Sequence, residues 1–417
     1  MRTSLWLLSL LFASPALAEP TLVGLARLPA DTFRDGPTSG QFIEAANGKT
    51  PPFENRQPVQ GVSSVIAGDE PGTYLALSDN GFGSKANSAD YVLCVYEMTP
   101  DWEQQTVAWS LAFELSDPDG HVPWPIVAEA DTYPDSDIAV PAAIREKRLL
   151  TGADFDVESM VRLPDGTFWL GDEFGPFLLH FSADGKLLKP PVELPGEGMH
   201  SPDHPTKDPA TAKVQRSGGF EGLMRIQPLD DPSGSTLVAM LEKSGEFGPP
   251  TAFIYRPAVE GESGRWSDVA TFYSLLKRAN AIGEITLLGS AGGVVGVAIE
   301  RDSEEADAAS HKRLATFVLH KLANSTPFRT TAGDDAQAVV ADLLDLADPQ
   351  DLDGDGRDRF RFPYVTIESV VVVDERTVMV VNDNNYPFSD GRPEREGPDE
   401  TEFILIRFDQ PLAELGR

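Results

Sequence analysis

The sequence predicts an all-β protein, a β-propeller of about six blades of four-stranded antiparallel sheet with long loop insertions. A phrase of three apolar runs separated by turns returns along the chain in the same order, as in toroidal repeats. Acidic or small polar residues recur at fixed places inside that phrase. The 417 residues include 36 glycines and 34 prolines, a turn-dense composition that suits many short strands better than helical bundles.

The clearest copy runs from Asp154 to Leu188, DFDVESMVRLPDGTFWLGDEFGPFLLHFSADGKLL. Pro164-Asp165-Gly166 and Asp184-Gly185 are hairpin turns, so Val157 to Leu163, Thr167 to Leu170, Phe177 to Phe181 and Lys186 to Leu188 form one meander. First runs with an embedded polar residue return around Ser63, Glu158, Glu221 and Glu368. Second runs follow and end in Asp79-Asn80, Asp172-Glu173, Glu242-Lys243 and Asp383-Asn384. Third runs close each unit at Tyr91 to Tyr96, Phe177 to Phe181, Ala252 to Tyr255 and Phe403 to Phe408. Gly292 to Ile299 with Leu314 to Leu319 reads as a further unit without the acids. Insertions at Thr99 to Leu150, Pro190 to Ser217 and Asn324 to Phe362 explain the uneven spacing, and Trp266 to Glu284 has the spacing of a short rim helix.

Residues 1–18 are expected to be a signal peptide: Arg2, an apolar core from Leu5 to Phe12, and Ala16-Leu17-Ala18 before the cut. The mature chain, 19–417, is then one exported propeller domain, periplasmic or extracellular and expected to be monomeric. The single cysteine, Cys94, lies in a strand-like run and is expected to be a buried thiol. No later apolar run is long enough to span a bilayer. Acidic residues outnumber basic ones 66 to 34, a net charge of −32 that repels nucleic acid and anionic lipid and favours cations.

Equivalent positions of successive blades converge on one face of the channel. Glu158, Glu221 and Glu368 form one equivalent set, and Asp79, Asp172, Glu242 and Asp383 a second, with Asn80, Glu173, Lys243 and Asn384 beside them. Unit charges 4 Å apart repel by roughly 4 kcal/mol at an effective dielectric of 20, so a cluster of this kind calls for a cation. Oxygen ligands without clustered Cys or His select Ca²⁺. The alternative is that these acids cap strand ends and accept from backbone amides.

Asp351, Asp353 and Asp355 stand at positions 1, 3 and 5 of a calcium-loop pattern in DPQDLDGDGRD, with Gly356 at the sharp turn. Phe362 replaces the Glu of an EF-hand, so a structural Ca²⁺ loop of another kind is expected. Other chemistries find little support: Gly289-Ser290-Ala291-Gly292-Gly293 misses the nucleophile-elbow spacing, and His200 and His204 sit in a Pro-rich loop and read as surface residues.

LTGADFDVES (150–159), LPDGTFWLGDEFGPFLLHFSADGKLL (163–188), SGGFEGL (217–223), IESV (367–370) and VVNDNN (380–385) together resemble the phytase-like propeller domain of the "esterase-like activity of phytase" family, over about Leu22 to Phe408. The family is similar in architecture to β-propeller phytases. That resemblance implies a channel mouth lined by Ca²⁺, which bridges a phosphate ester and activates water. Carried over residue by residue, the role falls on Glu158, Asp172, Glu173, Glu221, Glu242, Asp383 and Asn384, with Lys243 holding a phosphate oxygen; Lys85 and Arg225 are the other basic residues near the motifs. Ser63 departs from the pattern where the other clear units have Glu. The expected function is metal-assisted hydrolysis of a small-molecule phosphate or carboxylic ester; the alternative is a non-catalytic exported propeller that binds a ligand or protein, with Ca²⁺ only structural.

Overall fold

The computed structural model describes residues 19–227, 235–243, 245, 249–257, 264–272, 279–289, 294–319 and 339–415. The expected signal peptide, 1–18, lies outside them. Five four-stranded antiparallel meanders are found among the described residues, four of them with strands in sequence order from the axis outward and the fifth closed by the N-terminal strand. Blade I is Val62–Ala67, Tyr74–Ser78, Cys94–Asp101 and Thr106–Glu114; blade II is Val157–Arg162, Phe168–Asp172, Phe177–Phe181 and Val192–Glu193. Blade III is Phe220–Ile226, Thr236–Leu241, Thr251–Arg256 and Arg265–Phe272; blade IV is Ala281–Gly289, Val294–Arg301, Lys312–Leu319 and Val339–Asp342. Blade V is completed by the N-terminal strand: Thr366–Asp374, Thr377–Asp383 and Thr401–Arg407 pair on to Thr21–Leu28.

The ring closes in two ways. Each first strand packs against the first strands of both neighbouring blades, blade V against blade I included. The Thr21–Leu28 strand also makes one parallel pair, Arg27 with Thr106, to the outer strand of blade I. Five described blades therefore complete a circle where the sequence spacing predicts about six. The excess residues are loops: 115–153, which holds the short helix Ala142–Lys147, and 196–217, together with 348–358 on the small ladder Leu346–Ala347 with Arg359–Phe360.

Three more expectations change. Trp266 to Glu284 is no helix where it is described, because Arg265–Phe272 and Ala281–Gly289 are the last strand of blade III and the first of blade IV. The run from Gly292 to Ile299 is accordingly a second strand, Val294–Arg301, and the fourth unit has a charged residue on its first strand after all, Glu284. His200 and His204 are buried, with His204 packed against Trp124 and Phe177. Cys94 is a free, buried thiol.

First strands are buried on both faces between neighbouring blades, which is why they read as near-continuous apolar runs. Every one of them has a β-bulge at the same place. The register skips one residue between Val62 and Ser64, Val157 and Ser159, Phe220 and Gly222, Ile282 and Glu284, and Ile367 and Ser369. A bulge re-aims the extra residue, and here that residue is Ser63, Glu158, Glu221, Gly283 or Glu368.

Candidate functional site

The bulges supply one ring of positions at the channel mouth, and the ends of the second strands supply another. Strand register fixes the second ring. Val62 pairs with Ser78, Val157 with Asp172, Phe220 with Leu241, Ile282 with Glu300 and Ile367 with Asn382. The following residues, Asp79, Glu173, Glu242, Arg301 and Asp383, are therefore equivalent. Their backbones behave alike: Asp79, Glu173 and Glu242 donate N–H to the carbonyls of Gly61, Asp156 and Gly219. The sequence grouping is corrected in one respect, since Glu173 and not Asp172 belongs to this ring.

The side chains of the bulge ring meet across the axis. Ser63 Oγ lies 3.3 Å from Glu368 Oε2, and Arg301 Nη2 reaches Glu242 Oε1 at 2.7 Å and both Glu221 Oε1 and Glu368 Oε1 at 3.4 Å. Lys243 Nζ pairs with Glu242 Oε2 at 2.6 Å and donates to the Ser217 carbonyl, leaving one ammonium donor unassigned among the described residues. Among the described residues, Asp79, Asp156, Glu158, Glu173, Glu221, Glu242, Glu368 and Asp383 thus face only Arg301 and Lys243 as cations at the mouth.

That imbalance shows in the protonation of the acids. Burial, with Asp156, Glu221, Glu368 and Glu173 around it, pushes Glu158 well above the ordinary carboxylate range. Glu173 and Glu221 move the same way, again by burial first and then by neighbouring carboxylates. Glu368 is pushed up to about 8 by burial and Asp383, and Asp383 itself to about 6 by burial. Asp156 rises by burial, which outweighs the downward pull of the Glu158 and Asn80 side chains beside it.

One group has the arrangement a hard cation takes. Oxygens of Asp156, Glu158 and Glu173, all buried, lie within 4.8 Å of one another. Asp156 Oδ2 accepts from Asn80 Nδ2 at 2.7 Å, but its Oδ1 is buried without a partner. An orphaned buried carboxylate oxygen among like charges, in an all-oxygen donor set, fits a hard cation and not a metal that prefers nitrogen or sulfur. Asp156 is absent from the sequence-predicted set. Its equivalents in the other blades are Gly61, Gly219, Ala281 and Thr366, so repetition carries no signal for it.

Other predicted residues have different partners. Asp172 is fully buried, and its two oxygens accept from the amides of Asp156 and Gly175 at 2.9 and 2.7 Å, so it shapes the turn that presents Asp156. Asn384 accepts from Gly61 N and donates to Asp399 O, bracing a loop. Asp79 Oδ1 and Asp383 Oδ1 each accept an amide two residues on, Gly81 and Asn385, at 2.8 Å. Lys85 lies 5.3 Å from the Phe174 ring, whereas Arg225 sits near the far end of its strand and is 3.5 Å from Ser235 Oγ. Arg301, the residue that organises the centre, was not anticipated.

The second acidic group, Asp351, Asp353 and Asp355, also brings its oxygens within 4.8 Å, at the surface. Gly356 N binds Asp351 Oδ1 at 2.9 Å and Asp355 N binds Asp353 Oδ1 at 3.2 Å, with Gly356 at φ 80° closing the turn. Behind the loop, Asp348 is buried and its Oδ1 has no partner.

Five described blades around a carboxylate-lined mouth define the protein as a β-propeller with an acidic channel face. The chain belongs to the phytase-like family described as esterase-like activity of phytase, whose model matches residues 57–386. It is 33% identical over 106 residues to an uncharacterized secreted protein of Arthroderma benhamiae, a stretch covering 21% of this chain and 20% of that protein. The chain thus matches about a fifth of that relative's length. It is also similar to the α-L-arabinofuranosidase of Podospora anserina solved with cellotriose, at 11% identity, 95% and 98% coverage and a TM-score of 0.42. A thermostable family-43 glycoside hydrolase follows at 10% identity, 85% and 94% coverage and a TM-score of 0.38. Likenesses this distant carry no argument about activity. No helix among the described residues is long and apolar enough to cross a membrane.

Proposed function

We propose that the protein is an exported, calcium-binding hydrolase of small-molecule phosphate or carboxylic esters, acting at the channel mouth. The observation that supports this reading most is the Asp156–Glu158–Glu173 group, with its orphaned oxygen in a surplus of buried carboxylates. These three residues would hold the ion. When bound, Ca²⁺ supplies Lewis-acid polarisation of an ester oxygen and a lowered pKa for its water. One of the remaining carboxylates of the mouth would accept the proton of an attacking water. Lys243, with a donor to spare and its side chain partly exposed, is placed to hold an anionic oxygen of the substrate. Asp172 acts through the turn, by fixing the Asp156 amide. The loop at Asp351, Asp353 and Asp355 takes a structural Ca²⁺ that braces the ladder beside blade V. Export is supported by the N-terminal leader pattern and by the secreted relative.

The test is one purified sample assayed against aryl phosphates and aryl acetates before chelation, after EDTA, and after Ca²⁺ is restored. Loss and recovery of turnover are expected. Ca²⁺ binding with no turnover on either class would favour the non-catalytic binding propeller instead.

A further inference from the structure

Blade IV breaks both rings at the mouth, and in a correlated way. Its bulge position is Gly283, where the other blades have Ser63, Glu158, Glu221 and Glu368. A Cβ at Gly283 would lie 2.0 Å from the Ile367 carbonyl oxygen, backbone that cannot give way, so no side chain fits there. At the second ring the same blade presents Arg301 in place of an acid. Its Nη2 is surrounded by Glu242 at 2.7 Å and by Glu221 and Glu368 at 3.4 Å. Arg301 is buried, and neither its charge nor the site it fills is available to solvent. The mouth is thereby divided: Glu221, Glu242 and Glu368 surround a covalently tethered cation, while Asp156, Glu158 and Glu173 have no ion pair among the described residues, only the more distant charge of Lys243 beside Glu173.

We infer that Arg301 is a built-in substitute for a second metal ion: it closes the Glu221–Glu242–Glu368 half of the mouth to divalent cations and confines the exchangeable ion to Asp156–Glu158–Glu173. The inference rests on the proposed function in assuming that an ion binds in the mouth. The physical reason is charge. A guanidinium is weakly hydrated, permanently charged and satisfied by several carboxylates at once, so a divalent ion can enter that half only by displacing it. Without it, three buried carboxylates would be left facing one another, and a hard cation is the group that relieves them.

The experiment counts bound Ca²⁺ per chain by equilibrium dialysis and elemental analysis, without reference to activity. Wild type, Arg301→Met, Arg301→Lys, Glu158→Gln and Glu368→Gln are compared, so the loop ion at Asp351–Asp355 cancels in every difference. Arg301→Met should gain one ion per chain, and Arg301→Lys, which keeps the charge, should remain at the wild-type count. Glu158→Gln should lose one ion, and Glu368→Gln in the wild-type background should lose none. If Arg301→Met fails to fold, the Glu368→Gln count still decides, because loss of an ion there would place the metal in the half assigned to Arg301. A folded Arg301→Met at the wild-type count overturns the inference and leaves the mouth ion standing. A Glu158→Gln count equal to wild type overturns the mouth ion itself.

Discussion

Two buried glutamates of blade V titrate in opposite directions, and the charges facing them explain why. Against the upward push of burial, Arg392, Arg27 and Arg395 hold Glu402 down at about 2, with contacts of 2.8, 3.0 and 3.1 Å. Glu368 shares one guanidinium with two other glutamates and is pushed up to about 8. Glu402 therefore adds stability that is present above its unfolded value of 4.5 and is lost as the pH falls toward about 2. Glu402→Gln should cost about 3–5 kcal/mol in denaturant unfolding near neutral pH, because it strands buried guanidinium charge; a change within error would mean that the cluster is not coupled to folding. Glu368, Asp383 and Asp172 act in the other direction. Their folded values of about 8, 6 and 7 exceed the unfolded 4.5, 3.8 and 3.8, so between those limits the native state binds more protons than the unfolded one. Stability of the chelated protein should accordingly fall as pH rises from the unfolded values through the folded ones. Saturating Ca²⁺ should flatten that slope, and scanning calorimetry with and without EDTA reads both; a chelated protein equally stable across the window would contradict the charge surplus.

Blade IV shows why some elements could be read from sequence and others not. Blades I, II, III and V announce themselves by an embedded polar residue followed by a polar-ended second run, as in Val157–Arg162 and Phe168–Asp172. In Ala281–Gly289 the bulge position is glycine and burial at its start removes the two-residue alternation, so the strand signature is lost there. Arg301 was hidden for the same reason, since its equivalence to Asp79 and Asp383 appears only when strand register is known. The fit of Gly283 can be measured: Gly283→Ala should destabilise by about 1–3 kcal/mol through overpacking against blade V. The acidic loop, by contrast, was legible because its chemistry is local: Asp351, Asp353 and Asp355 with glycines at positive φ are all in one turn. Asp353→Ala should reduce the Ca²⁺-dependent rise in melting temperature, a rise equivalent to roughly 2.7 kcal/mol at a hundredfold excess over Kd. Turnover per folded molecule should stay near the parent value; a variant that melts normally yet is inactive would move that loop into the active site.

Across the whole molecule, a net charge of −32 and a ring of five described blades serve one arrangement. Closure by Thr21–Leu28 joins the chain ends, so the positions of Glu158, Glu221 and Glu368, far apart in sequence, are fixed around one axis. The convergence of these acids followed from repetition alone. The blade count did not, because the 115–153 and 196–217 loops lengthen the chain without adding a blade. The protein's overall field repels anions, and in the proposed function a cation in the mouth would reverse that field locally where an anionic ester approaches. Ca²⁺ occupancy and ester hydrolysis should therefore depend on the same carboxylates. The direct measurement is Glu158→Gln, which keeps size and removes charge, with calorimetric Ca²⁺ titration and aryl-ester turnover recorded on one folded sample. The account predicts the loss of one Ca²⁺ per chain together with most of the turnover. A variant that binds Ca²⁺ as the parent does and hydrolyses at the parent rate would contradict it.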